Sequence, residues 1–456
     1  MDYDYLNWPT SNRKRLSIAM ACDFFYPNVG GVETHIFSLA QCLIRRGHRV
    51  TVITHSYGEK GKQRQGVRYM SRGLKVYYIP FITFYKQIIF LSLLGTLSIV
   101  RDILIREQVE LVHGHSSFSL LSHETVIHAQ SLGIHTVVTD HSLFGFADLS
   151  SVTMNKIVEG VLSAVDYVIC VSHICKENSV LRNQLDPERV YVIPNALDTT
   201  VFTPDPSCRD MRYGGDGPKR LDLEEIRERH QLHARVTLLG GLSPEEVRGV
   251  LIQGDIFLNT SLTEAFCIAL LEAVSCGLLV ISTGVGGVPE VLPPEYIRLA
   301  PARASDLASC LSEAIAEVLE QRRRSTSTVN ASEKQTTGEL TLSGTPSLEP
   351  GFEDDMTHRA WRMHYWVRDS YSWPQVAVRT EKVYYAALTR KPPTLSDRLK
   401  CLSKCGRVYG RALMLLAMLH WAFLQLLSWV RPVHIIDKVP YFAYPIEEDT
   451  GTSPLV

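Results

Sequence analysis

Absences narrow this sequence first. Its ten cysteines include no C-x-x-C pair, which removes paired-thiol redox chemistry and leaves no zinc-ligand spacing. Several of them, such as Cys22, Cys42, Cys170 and Cys276, fall in apolar strand or helix patterns. They are expected as reduced core thiols of a cytosol-facing protein. With a formal net charge of −1 there is no basic excess for nucleic acid and no acidic solvating tract. The opening stretch MDYDYLNWPTSNRKRLS lacks an apolar core, so no cleavable signal peptide is expected. No repeat of 20–50 residues is visible. Long apolar runs are scarce too. Ile88 to Val100 is too short to span a bilayer and reads as a core helix or as a membrane-touching helix on the first lobe. Ala412 to Val430 reaches about 28 Å at ~1.5 Å per residue, close to a hydrocarbon core, and is expected to span, a buried or interfacial helix being the rival reading. Lys404, Arg407 and Arg411 precede that run while Arg431 and Lys438 follow it, a bias that places the large N-terminal part in the cytosol.

What is present is a strand–helix alternation. Leu16 to Cys22 is a short apolar strand, DFFYPNVGG a loop, and Val32, Ile36, Leu39, Ala40 and Leu43 recur at helical spacing. Gly47 stops that helix, and RVTVIT (Arg49 to Thr54) is the next strand. Strand, glycine turn, helix, strand is a βαβ unit and implies a parallel sheet. VYYIP, LVHGH, HTVVTDH, DYVICVS and VYVIPN continue the pattern to Asn195, giving one doubly wound lobe. RVTLLG (Arg235 to Gly240), DIFLNTS and LLVIST predict a second α/β lobe. Residues 325–355 lack a hydrophobic period and read as a disordered insertion; Trp373 to Leu388 returns to helix.

The strongest constellation is Glu264-Ala-Phe-Cys-Ile-Ala-Leu-Leu-Glu272. It follows a predicted strand and opens a predicted helix, the place where α/β folds bind ligands. Amides around Ala265, Phe266 and Cys267 would face an anion at the helix start, and a diphosphate fits. Glu264 is placed to accept from sugar hydroxyls and Glu272, two turns on, from ribose hydroxyls. The plainer reading is a helix-start glutamate suiting the dipole and a solvated helical glutamate. Gly30-Gly31, Gly214-Gly215-Asp216-Gly217 and Gly284-Val285-Gly286-Gly287 allow close backbone approach, but none is a full G-x-G-x-x-G and each also suits a simple turn. Histidines crowd one stretch, from His113 to His141. His141 ends a predicted strand on the functional edge of the sheet. No acidic or thiol partner sits at ligand spacing, so no metal site is expected.

Together these motifs resemble glycosyltransferase family 4, the retaining GT-B enzymes. The E-x₇-E of Glu264 and Glu272 is that family's signature, and the match extends over FFYPNVGGVETH (Phe24 to His35), IPNALDTTVFTP, GGDGPKR and STGVGGVPEVL. Within the family, TDHSLFGFADLSSV and LNTSLTEAFCIALLEA look closest to the branch that starts GPI-anchor synthesis. The resemblance implies two Rossmann-like lobes: an acceptor-side lobe at 15–195 and a donor lobe at 196–322. An insertion at 323–355, a helical return segment at 356–395, a single transmembrane helix at 411–430 and a tail at 431–456 complete the chain. It implies UDP-GlcNAc as donor, phosphatidylinositol as acceptor, no cofactor or metal, other subunits in a membrane complex and no nucleic acid. The place is the endoplasmic reticulum membrane, single-pass, lobes in the cytosol. Carried over by motif, His141 and Glu264 are catalytic. Gly30, Gly31, Gly215, Leu239, Gly240, Phe266, Cys267 and Glu272 bind the donor, with Leu239 and Gly240 near the uracil. His35 and His115 lie on the acceptor side.

One departure matters. After Thr203-Pro-Asp-Pro the family continues with a strand, a basic S-R-x₅-K-G segment, a helix and another strand; this chain passes almost directly to GGDGPKR. The Arg and Lys that grip the diphosphate are among the missing residues, and Lys219 and Arg220 match a different family segment. The donor lobe is therefore expected to lack its opening βαβ. This chain is then a truncated product of a genuine transferase. The rival readings are a GT-B-like membrane subunit without catalytic function, or a related transferase with another donor.

Overall fold

The computed structural model describes residues 14–58, 64–81, 83–85, 88–89, 93–143, 149–208, 220–335 and 355–440. They form two units, Leu197–Ser372 and the remainder on either side of it.

The first unit opens with β1 (Ser17–Ala21), α1 (Gly31–Arg45), β2 (Arg49–His55), β3 (Gly66–Tyr69), β4 (Lys75–Ile79), β5 (Thr83–Tyr85) and β6 (Ile88–Ile89). It continues with α2 (Leu93–Arg106), β7 (Leu111–His115), α3 (Leu120–Ser131), β8 (His135–Asp140), α4 (Leu149–Leu162), β9 (Tyr167–Cys170), α5 (His173–Asn183) and β10 (Val190–Val192). Eight strands make one sheet in the order β10-β9-β8-β7-β1-β2-β4-β3. Within it only the edge strand β3 pairs antiparallel. Every residue of β1 and β7 is buried, as expected of parallel strands covered on both faces. The chain moves outward from β1 through β2, then returns to place β7 on the other side of β1. That reversal is the topological switch point, outside whose strand ends ligands bind in open α/β sheets. Gly47 (φ +89°) follows α1 in the left-handed conformation that ends helices and turns the chain into β2. The run Ile88 to Val100 is helical only from Leu93, where Leu93, Leu97, Val100, Ile103 and Leu104 of α2 are buried; Ile88 and Ile89 instead pair as the strand β6.

The second unit holds α6 (Arg220–Arg229), α7 (Pro244–Leu251), β11 (Ile256–Asn259), α8 (Ile268–Ser275), β12 (Leu279–Thr283), β13 (Ile297–Ala300), α9 (Ala304–Gln335) and α10 (Asp355–Ser370). Its sheet has the order β11-β12-β13, all parallel. Leu279 and Ile281 of β12 pack with Ala314, Leu307 and Leu311 of α9. Residues 235–240, expected as a strand, do not belong to this sheet. Arg235 N and Val236 N instead bond back to the Leu232 carbonyl, which closes a turn there. The β11 edge is correspondingly open: Leu258 is 41% exposed, and α6 buries no residue while exposing Leu221, Leu223 and Ile226. Of the insertion expected at 323–355, residues 323–335 continue α9 as helix, since adding residues to an existing helix is far easier than nucleating one, and 336–354 lie outside the described residues.

The chain then re-enters the first unit with α11 (Trp373–Leu388), α12 (Leu395–Ser403) and α13 (Tyr409–Val430). The return segment is thus divided: α10 packs in the second unit, while Trp373, Val376, Ala377, Val383, Tyr384 and Ala387 of α11 join the core of the first. Among the described residues α13 is the one helix long and apolar enough to cross a membrane.

Candidate functional site

In the first unit the switch point gathers histidines. His115 ends β7, His141 follows β8, and His35 lies one turn into α1. Their rings pack at centroid separations of 4.6 Å (His35–His141), 5.5 Å (His35–His115) and 5.7 Å (His115–His141). Each is fixed from behind. His35 Nδ1 donates to Asn195 Oδ1 at 2.9 Å, which leaves Nε2 as an acceptor. His115 Nδ1 lies 3.4 Å from His141 Nε2. His113, one residue pair deeper, bridges Tyr384 Oη and Thr139 Oγ1, each at 2.7 Å. Burial lowers His35 to about 4, and burial with the neighbouring imidazoles pushes His115 and His141 well below the ordinary histidine value. All three are neutral at physiological pH. They suit hydrogen bonding to a polyol without bringing positive charge to the reacting carbon.

The loop that feeds α1 is tied to the sheet through Asp23. Its buried carboxylate accepts from Ser119 Oγ at 2.8 Å, Leu121 N at 3.0 Å and Ile89 N at 2.9 Å. Gly30 precedes α1 and Gly31 begins it. A Cβ on Gly30 would lie 2.6 Å from Glu33 Oε2. Glu33 folds its buried carboxylate back on its own amide, at the positive end of the helix. The sequence reading missed Glu33 and Asn195. An acidic residue in the first turn of a helix after a glycine pair is the signal that could have found the former; Asn195 sits far along the chain and gave none.

In the second unit the E-x₇-E segment is held by short polar bonds. Ser261 Oγ donates to Glu264 Oε1 at 2.9 Å, and Gly287 N donates to the Glu264 carbonyl at 2.9 Å, so the glycine loop after β12 is bonded to Glu264. Asn259 Nδ2 donates to Ser282 Oγ at 2.9 Å across β11 and β12. The helix begins later than expected. Cys267 is its N-cap in a left-handed conformation (φ 68°), and α8 starts at Ile268. The helix-initial amides are therefore those of Ile268 and Ala269 rather than Phe266 and Cys267, because a non-glycine residue at positive φ breaks the helical run before them. Phe266 is instead buried against Tyr371, ring centroids 5.8 Å apart. Burial, then the charge of Glu264, pushes the Cys267 thiol up to about 12, which excludes a thiolate nucleophile at neutral pH.

Glu272 lies on α8 with its carboxyl pushed up to about 7 by burial. A folded-state value above the ordinary 4.5 stabilises the protein below pH 4.5, and that stability is lost as pH rises through about 7. At 1.36 kcal/mol per unit the loss is about 3 kcal/mol. Glu272→Gln is expected to melt about 5–10 °C higher than the parent at pH 8 and level with it near pH 4.5. Scanning calorimetry across pH checks this. Gly240 adopts φ +80° and Leu239 is 38% exposed; Gly215 and Lys219 lie outside the described residues. Arg220 is engaged by Glu224 at 2.8 Å.

For metal binding, one group stands out among the described residues: donor atoms of His35, His115 and His141 lie within 4.8 Å of one another.

Comparison with known proteins agrees with this architecture. The family described as PIGA (GPI anchor biosynthesis) matches residues 55–148, and Glycosyl transferases group 1 matches residues 211–335. A phosphatidylinositol N-acetylglucosaminyltransferase subunit of Homo sapiens is 43% identical over 94% of this chain and 88% of its own length. Its counterpart in Arabidopsis thaliana, which carries the same name, is 42% identical over 93% and 94%. The human alignment runs over 465 positions, while 94% of 456 residues is about 429, so roughly 36 positions carry no residue of this chain. Among solved structures, sucrose-phosphate synthase from Thermosynechococcus elongatus superposes with a TM-score of 0.62 at 17% identity, over 82% of this chain and 100% of that one. The architecture is GT-B.

Proposed function

The chain belongs to the phosphatidylinositol N-acetylglucosaminyltransferase family of GPI anchor biosynthesis, and from that premise we propose that it transfers N-acetylglucosamine from UDP-GlcNAc to phosphatidylinositol, the first step of GPI-anchor synthesis. The observation that carries the reading is 43% identity sustained over 94% of the chain. The bond from the sugar's anomeric carbon to the diphosphate breaks, a bond from the same carbon to an inositol oxygen forms with retained configuration, and UDP leaves with the electron pair and the hydroxyl proton.

The roles proposed here carry the motif assignments onto the geometry. Glu264, pinned by Ser261 and Gly287, accepts from the donor sugar's hydroxyls. Glu272 accepts from the ribose. The amides of Ile268 and Ala269 face the diphosphate, and Leu239 and Gly240 lie by the uracil. His141, His35 and His115 hold the inositol, and Gly30 and Gly31 give backbone access to the ligands. Neutral imidazoles and backbone amides support a reaction without a resident metal. The protein works with other subunits at the endoplasmic reticulum membrane, its lobes in the cytosol.

Transfer of radiolabelled sugar to phosphatidylinositol by the complex is expected to proceed undiminished in EDTA and to favour UDP-GlcNAc over UDP-glucose. Preference for UDP-glucose, or loss of activity on chelation, would sink the assignment.

A second reading is favoured by the open β11 edge and the unfilled alignment positions: this chain is a shortened product whose own turnover is weak. It differs from the first in rate, not in substrate.

A further inference from the structure

We propose that His35, His115 and His141 form a zinc-binding site whose occupation closes the acceptor pocket and inhibits transfer. The site stands on the geometry of the three rings; the inhibition rests on the reading that these rings hold the inositol.

The ligands come from three elements of the first unit. α1 supplies His35, β7 ends in His115, and His141 follows β8. One ring nitrogen of each lies within 4.8 Å of the other two. Nitrogens bound ~2.0–2.1 Å from a tetrahedral zinc stand about 3.3–3.4 Å apart. His115 Nδ1 and His141 Nε2 lie 3.4 Å apart. That is longer than the ~2.7–3.2 Å of a good N–H hydrogen bond and matches the separation of two ligands on one zinc ion. His115 is fully buried, and its Nε2 meets no hydrogen-bond partner. Its ring is thus held in place without its polar atoms being satisfied, a state that buried groups seldom keep without an ion or ligand to relieve it.

The surroundings agree. His35 Nδ1 donates to Asn195 Oδ1 at 2.9 Å, which leaves the Nε2 lone pair for a cation. A ligating histidine almost always hands its other N–H to an oxygen in this way. Trp373 packs against His35 at 5.3 Å, and His113, itself held by Tyr384 and Thr139, packs against His115 at 4.1 Å. Burial keeps the three ligand rings neutral, so each offers a lone pair. Among the described residues the cluster holds three imidazoles and no carboxylate. A nitrogen-only set suits zinc and rejects magnesium and calcium, which take oxygen. With three protein ligands the fourth position stays open to water. No anionic side chain joins the set, so the ion is exchangeable. While bound, it occupies the nitrogens that the inositol hydroxyls would meet, and zinc and phosphatidylinositol exclude one another.

Calorimetric titration of Zn²⁺ into the purified full-length chain tests the site. One ion is expected to bind, with no competition from Mg²⁺, and Co²⁺ in its place should give the intense visible absorption of tetrahedral ligation. His115→Ala and His141→Ala should each weaken zinc at least tenfold. Asn195→Ala keeps all three rings and should weaken it about 10–100-fold, which decides the matter if the histidine variants do not fold. No binding by the parent, an octahedral cobalt spectrum, or parent-like affinity in the folded variants overturns the site. In the complex, added zinc should raise KM for phosphatidylinositol at unchanged kcat, and EDTA should reverse this. Zinc bound at the site but competing with UDP-GlcNAc instead would overturn the inhibition through the acceptor pocket. Zinc bound normally by a complex that transfers no GlcNAc would overturn the proposed activity and leave the site standing.

Discussion

Inserting the basic strand–helix–strand segment of a relative after Pro206 is expected to raise GlcNAc transfer by this chain about 10³-fold. Each preorganised donor to a departing diphosphate is worth about 10²–10³ in rate, and each charge-assisted contact ~1.5–3 kcal/mol. The family resemblance implies that an Arg and a Lys are lost with that segment, and the donor residues proposed above do not replace them: Arg220 is held by Glu224, and Glu264 and Glu272 have the wrong sign. The insertion does a second thing. It supplies strands for the open side of β11, whose Leu258 and the neighbouring α6 now expose apolar side chains. The two effects separate with a control insert whose Arg and Lys are alanine. Both inserts should raise the melting temperature and reduce aggregation, and only the charged one should restore rate. Equal turnover by the parent chain and the charged insert would show that the cations are supplied elsewhere.

Asp140→Ala is expected to cost about 3–5 kcal/mol of stability, because it strands Arg182 inside the first unit. Both side chains are fully buried, and Arg182 Nη2 donates to Asp140 Oδ2 at 2.8 Å. Asp140 Oδ1 also accepts from Ser142 N at 3.2 Å, so the carboxylate shapes the turn that carries His141. The melting temperature should fall by about 6–20 °C. Asp140→Ala with Arg182→Met should recover most of the stability, since replacing both partners removes the uncompensated charge. Transfer should remain about 10²-fold low in the double variant, since an ångström of displacement at His141 is enough for that loss. A melting temperature within about 2 °C of the parent after the single substitution would mean that Arg182 finds another anion. Recovery of rate together with stability in the double variant would show that Asp140 has no positioning role.

The first unit was largely legible because its strands are short and its central ones, β1 and β7, are wholly buried. The run LVHGH lies in β7 just as RVTVIT lies in β2, since parallel strands leave little room for polar alternation. The histidine cluster was half legible. His141 could be placed at a strand end, but its neighbours His35 and Asn195 are 160 residues apart in the chain, and only the fold brings them to 2.9 Å. The donor segment was legible as a motif and not as a boundary. The spacing Glu264 to Glu272 fits a helix throughout, yet Cys267 turns to positive φ and delays α8 by four residues. Propensity does not register that single backbone choice. The stretch 235–240 reads as a strand from its Val-Thr-Leu-Leu content, but β propensity is realised only beside a partner. Likewise the apolar run at the C-terminus specifies a helix and its length, whereas its docking depends on His420 meeting His128 and Ser131.

The place of α11 in the first core has a consequence for synthesis. Ile36, Leu39 and Leu43 of α1 share one hydrophobic cluster with Trp373, Val376, Ala377 and Tyr384. The ribosome delivers the sheet and α1 long before it delivers their cover, because the whole of Leu197–Ser372 is translated in between. At ~5–20 residues per second that interval lasts about 10–40 s. For that time the nascent lobe carries an uncovered apolar face, which makes chaperone occupancy during translation a condition of its yield. A message cut anywhere before Trp373 therefore forfeits the first lobe along with the second.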